Sequence, residues 1–261
     1  MTVRVAQITD IHLKAERDSQ LYGVDTALSF IRVIDEIEKL SRKPDIIIAT
    51  GDLAEDGARE TYTRFRDLLV KLDIPTYVLP GNHDDVAAMR SVFDDGKIFF
   101  SSSAQVKKWG FLFVNSQVQG CSHGYVSSAE ISKLEKNMVS LGKCPMLVSL
   151  HHTPSNMCPS SGCRLTNSEE FTALLNGYEN VKGVIAGHTH NDREFSVGNH
   201  LQFTTPSTFA YATHAQPGES VNHEDFWSSH RFDGSRQGFR ILDLYPEGTI
   251  RSEVRWLTTE E

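Results

Sequence analysis

Aspartate, histidine and asparagine recur in five short segments: Asp10-Ile11-His12, Gly51-Asp52, Gly81-Asn82-His83-Asp84, His151-His152 and Gly187-His188-Thr189-His190. Carboxylate, imidazole and amide oxygen together suit borderline transition metals better than calcium or magnesium alone. One Asp-x-His pair is ordinary at a strand end. Five clusters, each closing a stretch that reads as a buried strand, point to a two-metal hydrolytic centre. Asp52 can bridge two ions through its two oxygens, and cations about 3.5–4 Å apart need such an anion among further neutral or negative ligands. Iron, manganese and zinc all accept these ligands, so the sequence does not name the metals. The glycines at 51, 81 and 187 are expected to let the backbone turn sharply, so that the adjacent side chain points inward.

Those clusters need strands to deliver them. Short apolar runs alternate with amphipathic segments, the pattern of strands joined by helical crossovers. Val3 to Thr9 leads into Asp10, Asp45 to Thr50 into Gly51-Asp52, and Thr76 to Leu79 into the Pro80-Gly81 turn. Pro145 to Leu150 delivers His151, and Val181 to Ala186 delivers His188. Phe111 to Asn115 is a further strand. Val24 to Leu40 reads as a helix burying Val24, Leu28, Ile31, Ile34 and Ile37, and a second helix carries Tyr62, Phe65, Leu68, Leu69 and Leu72. Ser127 with Glu130 forms a capping-box signal, and Asn167 with Glu170 marks another helix start. Phe195 to Thr205 and Gly238 to Trp256 alternate like antiparallel strands, separated by an irregular stretch from Thr213 to Gly234. The implied fold is α/β (α+β): a four-layer α-β-β-α sandwich of two packed mixed sheets flanked by helices. Ligands of such sheets bind beyond the carboxyl ends of the strands, where all five clusters fall. With no repeat or flexible linker, 1–261 reads as a single domain, with an irregular pocket wall over about 205–234.

The chain has 261 residues, 39% hydrophobic and 23% charged, an ordinary globular mixture. No run has the apolar length to cross a bilayer, and Met1 to Asp10 lacks a signal core, so a cytoplasmic protein without a membrane partner is expected. Four cysteines, Cys121, Cys144, Cys158 and Cys163, are too few for a disulfide framework and read as reduced thiols. A net charge of -8 disfavours duplex nucleic acid and fits a small anionic substrate held through cations. Phe226, Trp227 and Trp256 suit either a dimer contact or closure of the core, so monomer and homodimer both stay open.

The pattern D-x-H, GD, GNH, H and GHxH resembles that of the calcineurin-like metallophosphoesterases at every position. Leu21-Tyr22-Gly23 with the following helix, Asn115-Ser116-Gln117-Val118 before His123-Gly124, His151-His152 before Pro154, and Thr205-Pro206-Ser207-Thr208 resemble the bacterial 3′,5′-cyclic AMP phosphodiesterases, the class III cyclic nucleotide phosphodiesterases. Gly238-Phe239-Arg240 with Leu242 and Gly248-Thr249 extends the likeness to nearly the whole chain. The resemblance implies two divalent or mixed-valence ions, one on Asp10, His12, Asp52 and His190, the other on Asp52, Asn82, His151 and His188. It implies hydrolysis of a small cyclic phosphodiester, 3′,5′-cyclic AMP to 5′-AMP, by a hydroxide bridging the ions. His83 would stabilise the transition state or protonate the leaving oxygen; apart from the resemblance, the adjacent carboxylate of Asp84 is expected to orient it.

Asn82, His83, His190, His152 and His123 are the expected substrate contacts, His152 being next to a ligand and suited to orienting it. Phe209 and Tyr211 read either as core aromatics or as rings facing a nucleobase. His200, His214, His223 and His230 read as surface or structural, and Asp56 and Asp85 as solvated charges at helix starts. A broader phosphodiesterase acting on 2′,3′-cyclic nucleotides or glycerophosphodiesters is the alternative. A nuclease would want a basic groove that this acidic chain does not supply, and a non-catalytic module would have lost His83 or metal ligands, which are intact.

Overall fold

In the computed structural model, which describes residues 1–93, 96–154, 164–214 and 230–257, the apolar runs become strands of two sheets. In chain order the elements are β1 (Val3–Ile8), α1 (Thr26–Lys39), β2 (Ile46–Thr50), α2 (Arg59–Leu69), β3 (Thr76–Leu79), α3 (Val86–Val92), β4 (Ile98–Phe99), β5 (Ser103–Val106), β6 (Trp109–Phe113), α4 (Ser128–Leu141), β7 (Met146–Ser149), α5 (Ser168–Asn176), β8 (Val181–Ala186), β9 (Arg193–Val197), β10 (His200–Thr204), β11 (Tyr211–His214), β12 (His230–Asp233), β13 (Gly238–Leu244) and β14 (Ile250–Trp256). One six-stranded sheet has the order β14-β13-β1-β2-β3-β4, the other β5-β6-β7-β8-β10-β9, and β11 with β12 forms a two-stranded ribbon. Both large sheets are mixed: β1 to β4 are parallel with β13 antiparallel, and β6, β7, β8 and β10 are parallel between antiparallel β5 and β9.

Side chains one residue apart on a strand point to opposite faces, and that alternation builds the layers. Val3, Val5, Ile46 and Ile48 meet Trp109, Phe111, Phe113, Leu147 and Ile185 between the sheets. Ala6, Ile8, Ile47 and Ala49 turn the other way, against Phe30, Val33 and Phe65 of α1 and α2. Val148 and Val184 pack on Leu134 and Phe171 of α4 and α5. The result is helix, sheet, sheet, helix, as the sequence pattern implies. Each large side chain fully buried between the sheets contributes about 1.5–3 kcal/mol, so neither sheet can slide without uncovering several of them. This fixes the ends of β1, β2, β3, β7 and β8 relative to one another.

Several expectations need correcting. In α1 the buried face is Ala27, Phe30, Val33, Ile34 and Ile37, while Leu28 and Ile31 are exposed. Leu28 and Ile31 lie on the side that carries Arg32, Asp35 and Glu38, and Gln237 donates to Ser29 Oγ at 2.8 Å on the buried side. At α4 the Ser127 side chain accepts from Glu130 N as expected, but the Glu130 carboxylate accepts from Asn115 N instead of returning to Ser127. Asp56 is more than a solvated charge: it accepts from Ala15 N, Ala58 N and Thr61 Oγ1 and ties the loop after β1 to the start of α2. Asp85 caps α3 through Ala88 N. In the 195–205 region β9 and β10 form the expected hairpin, yet β10 also pairs parallel with β8. Part of the stretch expected to be irregular is strand, namely β12. His200 is buried, against Asn199 and Gln202. Cys121 and Cys144 are free thiols. Cys158, Cys163, His223, Phe226 and Trp227 lie outside the described residues, as do parts of both expected pocket walls.

Candidate metal centre

The loops that follow β1 and β2 zip together beyond the sheet. Asp10 N donates to Gly51 O, Ile11 N and His12 N to Asp52 O, and Leu13 N to Leu53 O. From the second sheet Gly187 N donates to His151 O, and Ser207 Oγ reaches Asp10 O at 2.6 Å. Asp10, His12, Asp52, His188 and His190 all take positive φ, between 49° and 67°. Aspartate and histidine tolerate this region better than most residues, but a non-glycine there still costs about 1–3 kcal/mol and persists where the surroundings impose it. The sharp turns therefore sit largely on the functional residues themselves. Of the three glycines expected to make them, only Gly51 is left-handed, at φ 92°. Gly81 is required for closeness instead, since a Cβ there would overlap the Asp52 carboxylate.

The side chains converge in two groups that share Asp52. His12 Nε2 lies 3.4 Å from His190 Nε2 and 3.8 Å from Asp52 Oδ2, and His190 Nε2 is 3.4 Å from Asp10 Oδ1. On the other side His151 Nε2 is 3.1 Å from both Asn82 Oδ1 and His188 Nδ1, and 3.3 Å from the same Asp52 Oδ2. The outer nitrogens settle the tautomers. His12 Nδ1 donates to Glu55 at 2.7 Å, His190 Nδ1 to Ala210 O at 3.3 Å, and His151 Nδ1 to Thr50 O at 2.8 Å. His12 and His190 in their neutral forms then aim lone pairs at each other, which is repulsive without a cation between them. Donors bound about 2.0–2.1 Å from one ion stand roughly 3.0–3.4 Å apart, so the spacing fits a transition metal in each group.

Charges follow from burial and neighbours. Burial alone would raise the Asp52 carboxyl, but His151 and then His83 hold it well below the ordinary value. Burial also works against the cation on His151, where Asp52 wins and holds the imidazole up at about 9. Burial pushes His12 down and, with His152 and His151 beside it, pushes His188 well down. His83 stands on the rim, its side chain 20% exposed. Burial lowers its pKa, but Asp52 and Glu55 outweigh that and hold it at about 9.

The sequence reading misses Glu55. Its carboxylate accepts from His12 Nδ1 and sits 3.2 Å from His83 Nδ1, so one acid orients an imidazole of the centre and the imidazole on its rim. Burial would raise Glu55, yet the two histidines bring it down to about 2. The signal was its position three residues after Asp52, on the loop zipped to His12. Asp84, expected to orient His83, has its carboxylate taken up elsewhere: it accepts from Gly81 N, Leu53 N, Ala54 N and Tyr62 Oη. It knots the Gly81 loop to the Asp52 loop. Gln117 is a second residue the sequence reading leaves unassigned; its amide donates to Gly81 O and Asp84 O, joining the second sheet to that knot.

Of the expected substrate contacts, Asn82, His83 and His190 converge on the centre. His152 does not face a substrate: it is fully buried, with Nδ1 at Ser116 Oγ and Nε2 at Ser122 O, and its ring backs His151 and His188. Burial, reinforced by His151, drives its pKa down to about 3, so it is a neutral support. Among the described residues the His123 ring makes no hydrogen bond, ion pair or ring contact with the five clusters; its neighbour Ser122 supplies the carbonyl that holds His152. Phe209 is fully buried, edge-on to His12 and His190, and Tyr211 packs on Trp256 and Arg236, so neither is a base platform.

Comparison with known proteins agrees with this geometry. A 3′,5′-cyclic-nucleotide phosphodiesterase of Nostoc sp. is 34% identical over 257 residues, covering 97% of this chain and 92% of that protein. The 3′,5′-cyclic adenosine monophosphate phosphodiesterase CpdA of Escherichia coli K12 is 31% identical over 262 residues, covering 98% and 90%. Among solved structures, a purple acid phosphatase from yellow lupin superposes over 98% of this chain with a TM-score of 0.70 at 14% identity; the chain spans 52% of that longer protein. That likeness shows the fold. Residues 3–192, which include all five clusters, match the family model described as calcineurin-like phosphoesterase, and the chain belongs to that family.

Proposed function

We propose that the protein is a metal-dependent phosphodiesterase that hydrolyses 3′,5′-cyclic AMP to 5′-AMP. The observation that carries the chemistry is the pair of facing donor groups sharing Asp52 Oδ2. Identities of 34% and 31%, over nearly the full length, to proteins named as cyclic-nucleotide and cyclic AMP phosphodiesterases support the substrate. Asp10, His12, Asp52 and His190 would hold one ion, and Asp52, Asn82, His151 and His188 the other, with iron, manganese or zinc chemically suitable. When bound, two such cations supply Lewis acidity, neutralising phosphoryl charge and acidifying water so that a nucleophile exists at neutral pH.

The remaining work belongs to the chain. Asp52 fixes the centre and, through Oδ1, also accepts from His83 N at 2.9 Å, which pins the rim histidine beside the reacting group. Glu55 holds His83 by Nδ1, so Nε2 is the atom that would carry a proton to the substrate. As the imidazolium that Asp52 and Glu55 favour, His83 would hydrogen-bond a phosphoryl oxygen and protonate the leaving 3′-oxygen. His152 and Gln117 keep the rings and the Gly81 loop from shifting.

The test is 5′-AMP release from cyclic AMP by protein loaded in turn with manganese, iron and zinc, measured beside glycerophosphocholine and single-stranded DNA. The reading expects kcat/KM to be highest for cyclic AMP with at least one metal. Higher values for glycerophosphocholine or DNA with every metal would overturn it.

A further inference from the structure

Tyr22 lies outside the centre, yet the chain holds it in a conformation that a tyrosine rarely adopts. Leu21 and Val24 exchange two backbone hydrogen bonds of 2.9 Å, closing a turn whose central residues Tyr22 and Gly23 both have positive φ, 49° and 78°. Glycine takes that conformation without a steric penalty; a bulky aromatic does not. The turn sets the Tyr22 ring outward, 61% exposed, and flat on Phe232, with centroids 5.7 Å apart and planes at 12°. Phe232 meets the ring of His190 edge-on at 5.5 Å and stacks on the buried Phe209 at 6.4 Å. The Tyr22 turn and the end of β12 are closely fitted, since a Cβ on Gly234 would overlap Val24. A row of rings thus leaves the centre at His190 and reaches solvent at Tyr22.

Resting on the cyclic AMP reading above, we propose that Tyr22, backed by Phe232, forms the wall on which the nucleobase stacks while the phosphodiester lies at the His190 end. Stacking on an aromatic face is available to every base, so this wall separates diesters that carry a base from those that do not. It does not by itself choose adenine over guanine. The strained backbone at Tyr22 is consistent with that use, because such strain collects where a side chain must be aimed.

The experiment compares cyclic AMP with methyl riboside 3′,5′-cyclic phosphate, which keeps the ring and the diester but lacks the base. Tyr22→Asn removes the aromatic while suiting a left-handed turn, and Phe232→Leu removes the inner ring while keeping its bulk. Each is expected to lower the ratio of kcat/KM for cyclic AMP to that for the base-free diester by roughly tenfold, within the range of one lost base stack, with Tyr22→Trp restoring it. An unchanged ratio in both variants would overturn the wall, including the case in which both substrates decline together. A wild-type enzyme that cleaves the base-free diester and not cyclic AMP would overturn the substrate reading and the wall with it, and that outcome is visible before any variant is made.

Discussion

Glu55→Gln isolates the residue that joins the centre to its rim. Both rings meet the same carboxylate oxygen, Oε2, at 2.7 Å from His12 and 3.2 Å from His83; an amide oxygen there can still accept from both but carries no net charge. What the substitution removes is the anion, so the imidazolium form of His83 loses a charge-assisted hydrogen bond. A hydrogen bond to a charged group is worth about 1.5–3 kcal/mol, which corresponds to roughly 1–2 pKa units. The His83 pKa should therefore fall by about 1–2 units, with Asp52 still favouring its cation. A raised histidine loses its charge as pH climbs through its folded pKa, so a lower pKa brings that loss at lower pH. In the pH profile of kcat/KM the alkaline limb should move down by about 1–2 units, so that kcat/KM far up that limb is reduced about 10–100-fold. The assay is 5′-AMP release across pH 6 to about 10, at saturating metal, beside the metal content of each sample. An unmoved alkaline limb would refute the reasoning, whether activity is retained or lost through metal release alone.

Three further outcomes follow from the same contacts. Asp84→Asn sets an amide among four donors and should lower stability to thermal or urea unfolding by about 2–3 kcal/mol, more than it alters the alkaline limb. Gly51→Ala places a Cβ 2.6 Å from Gly81 N and from His151 Nδ1 at a left-handed position; unfolding should show a loss exceeding about 1 kcal/mol, with weaker metal retention. Away from the centre, Arg4 makes a two-pronged hydrogen bond with Asp243 at 2.8 and 2.7 Å, and this bond holds the Asp243 carboxyl below its ordinary value. Its stabilisation is present above the unfolded pKa of about 4 and is lost as pH falls through the lower folded pKa, so wild type and Asp243→Asn should differ by up to about 1 kcal/mol at pH 7 and converge in acid.

The centre was legible because each cluster directly follows its strand, so strand order alone carries Asp10, Asp52, Asn82, His151 and His188 to one end of the sheets. Glu55 was not, because Glu55 and Asp56 look alike in sequence. One reaches His12 and His83, the other Ala15 and Thr61, and only the pairing of the loops after β1 and β2 separates them. The series Leu28, Ile31, Ile34 and Ile37 steps by three residues and drifts by about 60° each time around the helix, so it leaves the face that Ala27, Phe30, Val33, Ile34 and Ile37 bury. Phe209 was visible as an aromatic near the centre, but its burial rests on His12, His190 and Phe232, which meet it from segments far apart in sequence.

The most direct test of the central claim is the metal content of dialysed protein, by mass spectrometry, for wild type and Asp52→Asn. If Asp52 is shared by two donor groups, wild type should hold about two ions per chain and the variant should lose most of both, because one change removes an anionic ligand from each site. One ion per chain in wild type, or two retained in the variant, would contradict the account.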